Sequence, residues 1–138
     1  MDELYREMGE VIAAQVMPII LEPPSGASWK EKLFDIADRR AVVFETILPY
    51  RISANLKRFQ SSYLMQDYRR MLRLECDTTE AHLPVSVKAD LAGTRSLNVI
   101  LSFQTWRLLR HDQELPFEDA KAVVRRLLSD AMSGMPED

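Results

Sequence analysis

Apolar residues return every three or four positions along nearly the whole chain, and this spacing constrains the fold more than any other feature. That period gathers them on one face of a helix, whereas a strand needs alternation every second residue. In Asp2–Ile20 the positions Leu4, Met8, Val11, Ile12, Val16 and Ile19 follow it. The helix is expected to stop at Leu21-Glu22-Pro23-Pro24-Ser25-Gly26, because two prolines and a glycine do not extend one. Ser28-Trp29-Lys30-Glu31 has the form of a capping box, with Ser28 as N-cap and Glu31 reaching back to its amide. A stripe of Leu33, Ile36, Ala37, Phe44, Ile47 and Leu48 then leads to Pro49, where the helix is expected to bend or split. A separate break near Asp38–Arg40 is an alternative.

Ser61 or Ser62 caps the next helix, with Leu64, Tyr68, Met71 and Leu72 on one side and Arg69, Arg70 and Arg73 on the other. Asp77-Thr78-Thr79 is expected to end it in a loop. Leu83–Ala89 alternates like a strand, but a lone strand has no partner here, so a short helical turn is the better reading. From Ala92 to Arg110 the pattern predicts one continuous helix, roughly 28 Å long at about 1.5 Å per residue. Leu97, Leu101 and Leu108 lie on one side, and Val99, Ile100, Phe103 and Trp106 on another. A helix apolar around that much of its circumference is wrapped on several sides. The last helix starts near Pro116, carries Phe117, Ala120, Val124, Leu127, Leu128 and Ala131, and stops at Gly134 and Pro136. The expected fold is therefore all-α, a single-domain bundle of about five to six helices over residues 1–138.

Few kinds of chemistry fit these residues. The net charge is −3, from 18 Lys+Arg against 21 Asp+Glu, which argues against a nucleic-acid-binding surface covering the molecule. No apolar run approaches the roughly 20 residues that cross a bilayer, and the acidic start is unlike a secretory signal. The one cysteine, Cys76, excludes an internal disulfide framework and fits a cytoplasmic location. Its neighbours Glu75 and Asp77 oppose thiolate formation. His82 and His111 lack the spacing of a metal site, no Gly-rich phosphate loop is present, and no serine lies in a nucleophile elbow. No catalytic residue, metal ligand or cofactor is nominated.

Binding chemistry is better represented. Lys57, Arg58, Arg69, Arg70 and Arg73 could hold an anion, although a solvated helix face explains them more simply. Met65 and Met71, with Tyr63 and Tyr68, either line an adaptable apolar cavity or belong to the core. Ser96, Asn98, Ser102, Gln104 and Thr105 interrupt the wrapped helix, and each needs a partner if buried.

Three stretches together carry a resemblance. Val43-Phe44-Glu45-Thr46-Ile47-Leu48-Pro49-Tyr50-Arg51 resembles the proline-interrupted helix of many TetR-type (AcrR-like) bacterial regulators. Leu101-Ser102-Phe103-Gln104-Thr105-Trp106-Arg107-Leu108-Leu109-Arg110 resembles their penultimate helix, often L-S-F-E-x-W-R-x-L-R. Asp112–Ala120 is similar to their turn into the last helix, and Asp2-Glu3-Leu4-Tyr5 to the segment that follows the DNA-reading helices. The resemblance implies an effector-binding domain that dimerises through its last two long helices as a four-helix bundle. On helix-face grounds Met65, Tyr68, Ile100 and Phe103 are expected nearest a small, apolar effector. Leu101, Leu108, Val124, Leu127, Leu128 and Ala131 are expected nearest the second copy. No helix-turn-helix pattern occurs in these residues, so the chain by itself is not expected to bind operator DNA. A stand-alone helical interaction protein, pairing with a full-length relative, is the alternative.

Overall fold

The computed structural model describes residues 1–138 and contains seven α-helices and no strand. Helix α1 spans Asp2–Leu21, α2 Trp29–Lys57, α3 Ser62–Glu80, α4 Val85–Lys88, α5 Leu91–Ile100, α6 Phe103–Arg107 and α7 Phe117–Met132. A 3-10 turn, Arg58–Gln60, joins α2 to α3, and a π-helical turn, Leu108–Asp112, follows α6. No helix is long and apolar enough to cross a membrane.

Side chains set the helix starts. Ser28 Oγ accepts the Glu31 amide at 3.1 Å, but the Glu31 carboxylate takes the Ala27 amide at 2.7 Å, one residue short of the expected Ser28. Ser61 Oγ accepts the Leu64 amide at 3.2 Å, and Asp90 accepts that of Gly93 at 3.1 Å. The turn predicted at Leu83–Ala89 is α4. A predicted split and a predicted stop are absent. Helix α2 continues through Pro49 to Lys57 without a split, with the proline on its exposed side. Helix α3 passes Asp77-Thr78-Thr79, where Thr78 Oγ1 donates back to the Leu74 carbonyl at 2.7 Å and so stays compatible with the helix.

The continuous helix predicted from Ala92 to Arg110 is instead three pieces. Ser102 leaves the helical region (φ −81°, ψ 158°) and caps α6 by accepting the Thr105 amide. Ser102 and Thr105 hydroxyls also donate to the Val99 carbonyl. The freed Phe103 amide donates to the buried Glu75 carboxylate at 2.8 Å, so the break leaves no orphaned donor at this position.

Helix α2 is the axis of the fold, packing on α1, α3, α6 and α7. At about 1.5 Å per residue its 29 residues extend roughly 43 Å. Its Leu33, Ala37, Phe44 and Ile47 meet Leu97, Leu101, Phe103, Trp106, Val124 and Leu128 in the main core. A smaller cluster of Tyr5, Tyr50, Ala54 and Leu64 joins α1, α2 and α3. Only part of the apolar pattern of α1 is buried: Tyr5 and Val16 face inward, while Leu4, Met8 and Val11 are exposed.

Candidate functional site

The stretches that carry the resemblance lie against one another. Glu45 of α2 accepts the Trp106 indole N–H at 3.0 Å and the Arg110 Nε–H at 3.1 Å, and it also pairs with Arg110 Nη2. Arg110 donates in addition to the Leu115 carbonyl at 2.9 Å, fixing the turn into α7. Its guanidinium hydrogen bonds hold the Glu45 carboxyl below its ordinary pKa, and the indole bond acts in the same direction. Six residues along α2 from Glu45, the Arg51 guanidinium stacks on Phe103 at 4.6 Å. Trp106 and Arg110 thus serve as structural anchors, tying α6 and the turn into α7 to Glu45 of α2.

A cavity of about 380 Å³ opens between α1, α2 and α3. Helix α1 contributes Ile12, Val16 and Met17, α2 contributes Val43, Ile47 and Tyr50, and α3 contributes Tyr63, Met71 and Leu74. That volume is within the range of small-molecule sites. Burial pushes the Tyr50 phenol up to about 12, so it remains neutral, and it donates to the Tyr5 carbonyl at 3.3 Å. At Gly9 an added Cβ would lie 3.0 Å from the Tyr50 hydroxyl, so the glycine permits α1 to close on α2. A second hollow of about 370 Å³ lies beside it, sharing Ile20 and Val43 as a dividing wall.

Among the lining residues Arg51 is charged and buried, and it is backed by Glu75. Arg51 is 3% exposed, and Glu75 is 8% exposed. They approach at 3.7 Å, an ion pair beyond hydrogen-bond range. Neither terminal nitrogen of Arg51 has a hydrogen-bond partner, and neither has Glu75 Oε2. Burial lowers the Arg51 pKa against the opposing charge of Glu75, and it raises that of Glu75 against Arg51. Arg40 also approaches Glu75, and its terminal nitrogens are hydrogen-bonded. It donates to the Leu101 carbonyl at 3.0 Å, the Glu75 carbonyl at 2.8 Å and the Thr78 hydroxyl at 2.7 Å. Burial also raises the Cys76 thiol pKa, which keeps it protonated; the nearby carboxylates of Glu80 and Glu75 add to this.

None of the four residues expected nearest an effector lines the large cavity. Phe103 is fully buried, edge-on to Phe44 at 5.5 Å. Ile100 borders a crevice of about 10 Å³, room for hardly one water. Tyr68 is occupied by a hydrogen bond from Gln104 at 3.1 Å and by Arg58 over its ring, and Met65 is half-buried on α3. The break at Ser102 turns α6 onto the core, and it is α1 that leaves space beside α2 and α3. Tyr63 and Met71, weighed with Met65 and Tyr68, do line the cavity.

Residues expected nearest a second copy also divide. Leu101, Val124 and Leu128 are covered within one copy, at 2%, 7% and 0% exposure, so they have little surface to offer a partner. Ala120, Val124, Leu128 and Met132 form the inward row of α7 at every fourth residue. Leu127 and Leu108 are exposed, and Ala131 is half-buried.

Arg51 is the member of the site that periodicity left out. It lies four residues after Ile47 and seven after Phe44, in phase with the core row, where an arginine is conspicuous. Glu75 is likewise four residues after Met71 on the apolar side of α3. No family model matches the chain, and no curated protein or solved structure is significantly similar to it.

Proposed function

We propose that this chain is the effector-binding and homodimerising domain of a TetR-type bacterial transcriptional regulator. The observation that carries the reading is apolar surface remaining on the last helices after one copy has folded: Val99, Leu108 and Leu127 stay 64%, 45% and 42% exposed. A symmetric pairing of these segments would remove that surface from water. Support for the sensing half comes from the apolar cavity between α1, α2 and α3. A ligand that binds one arrangement of these helices more tightly biases the equilibrium by its differential affinity, and by no more than that. In a regulator of this type the shift would change the separation of two DNA-reading heads, which must match half-sites about one helical turn apart.

Sedimentation velocity tests the reading. The expected result is a symmetric dimer at micromolar concentration, with Leu127→Glu weakening dimerisation tenfold or more, about 1.4 kcal/mol. A monomer across the whole accessible range would overturn it.

A further inference from the structure

We infer that the cavity between α1, α2 and α3 takes an amphipathic carboxylate, with its apolar body against the α1 wall and its carboxylate on Arg51. The inference rests on the cavity being a ligand site and adds the chemistry of its occupant. Arg51 lines the cavity, is almost wholly buried, and has both terminal nitrogens free of hydrogen bonds. A buried guanidinium whose terminal nitrogens make no hydrogen bond carries a large desolvation cost that the ion pair at 3.7 Å meets only in part. The stack on Phe103 covers one face of the guanidinium, while its in-plane N–H groups make no hydrogen bond. A planar fork of donors matches a carboxylate, which can accept two of them in parallel.

The charge balance points the same way. Arg6, Arg51 and Arg70 line the cavity against Glu10 and Asp67, and Asp67 is already paired with Arg70. On the core side of the cavity, the single carboxylate of Glu75 is shared by Arg51 and Arg40, and one of its oxygens is held by the Phe103 amide. Two guanidiniums against one carboxylate leave a positive charge in surplus there, and an entering anion would neutralise it. The remaining lining is mainly aliphatic and aromatic, which excludes a small hydrophilic anion as a well-matched occupant.

Calorimetric titration with decanoate and with decan-1-ol, which share an apolar chain and differ in charge, tests this. Decanoate should bind at least tenfold more tightly than the alcohol. Arg51→Gln should remove that preference while leaving alcohol binding in place. Glu75→Gln retains an acceptor for the Phe103 amide but deletes the competing charge, so decanoate should bind more tightly to it than to the natural chain. This variant decides the question should Arg51→Gln fail to fold. Equal affinities for the two probes, unmoved by either substitution, would overturn the carboxylate inference and leave the apolar site standing. Binding of neither probe would overturn both.

Discussion

Glu45 shows how one side chain can hold two segments together. It accepts from Trp106 and Arg110 and so ties the middle of α2 to α6 and to the turn that follows. The group is partly exposed, so Glu45→Gln should cost about 1–2 kcal/mol at neutral pH, read by urea denaturation. Its carboxyl titrates lower in the folded chain than in the unfolded one. Its share of stability is therefore complete above the ordinary carboxylate range and drains as the pH falls through the lowered value. The stability gap between the natural chain and Glu45→Gln should narrow on acidification; a gap that widens would contradict the assignment. Glu75 has the opposite sign, since burial raises its pKa, and its contribution grows as acid protonates it. Comparing the two chains at each pH cancels that second effect. At this scale the sequence was partly legible: Arg51 and Glu75 are in phase with apolar neighbours, a visible sign of buried charge. Their lack of hydrogen-bond partners was not, because it depends on side chains more than twenty residues apart.

Among the elements, local chemistry decided what could be read. Helix starts at Ser28 and Ser61 were legible because a cap is made within four residues, as was the turn at α4. The break at Leu101–Ser102 was not, since a serine inside an apolar helical pattern normally bonds back to its own helix. Here the Glu75 carboxylate, on a different helix, accepts the amide that the break frees. The sign of one substitution distinguishes the two arrangements. In an unbroken helix, Ser102→Ala would be neutral or stabilising through helix propensity. As the cap of α6, Ser102 should cost about 1 kcal/mol when replaced by alanine, measured by thermal or urea unfolding.

On the scale of the molecule, the all-helical architecture followed from periodicity, and the cavity did not. Its walls come from three helices, and its volume depends on how far α1 stands from α2 and α3, a distance no local pattern encodes. Helix α1 is fastened at both ends. Ser61 donates to Asp2 at 2.8 Å and the Tyr5 and Ser53 hydroxyls share a bond of 2.6 Å, while Arg39 donates to the Glu22 carbonyl and, at 2.9 Å, to that of Pro23. Between these ties, Ile12, Val16 and Met17 span the cavity, and Pro18 removes one backbone hydrogen bond from the helix. A strut pinned at two points and weakened between them answers a load by arching rather than by swinging away. Filling the hollow beneath it should therefore slow amide hydrogen exchange most around Ile12–Met17 and least near Tyr5, as peptide-resolved mass spectrometry would record. Such a strut would convert the bulk of an occupant into curvature.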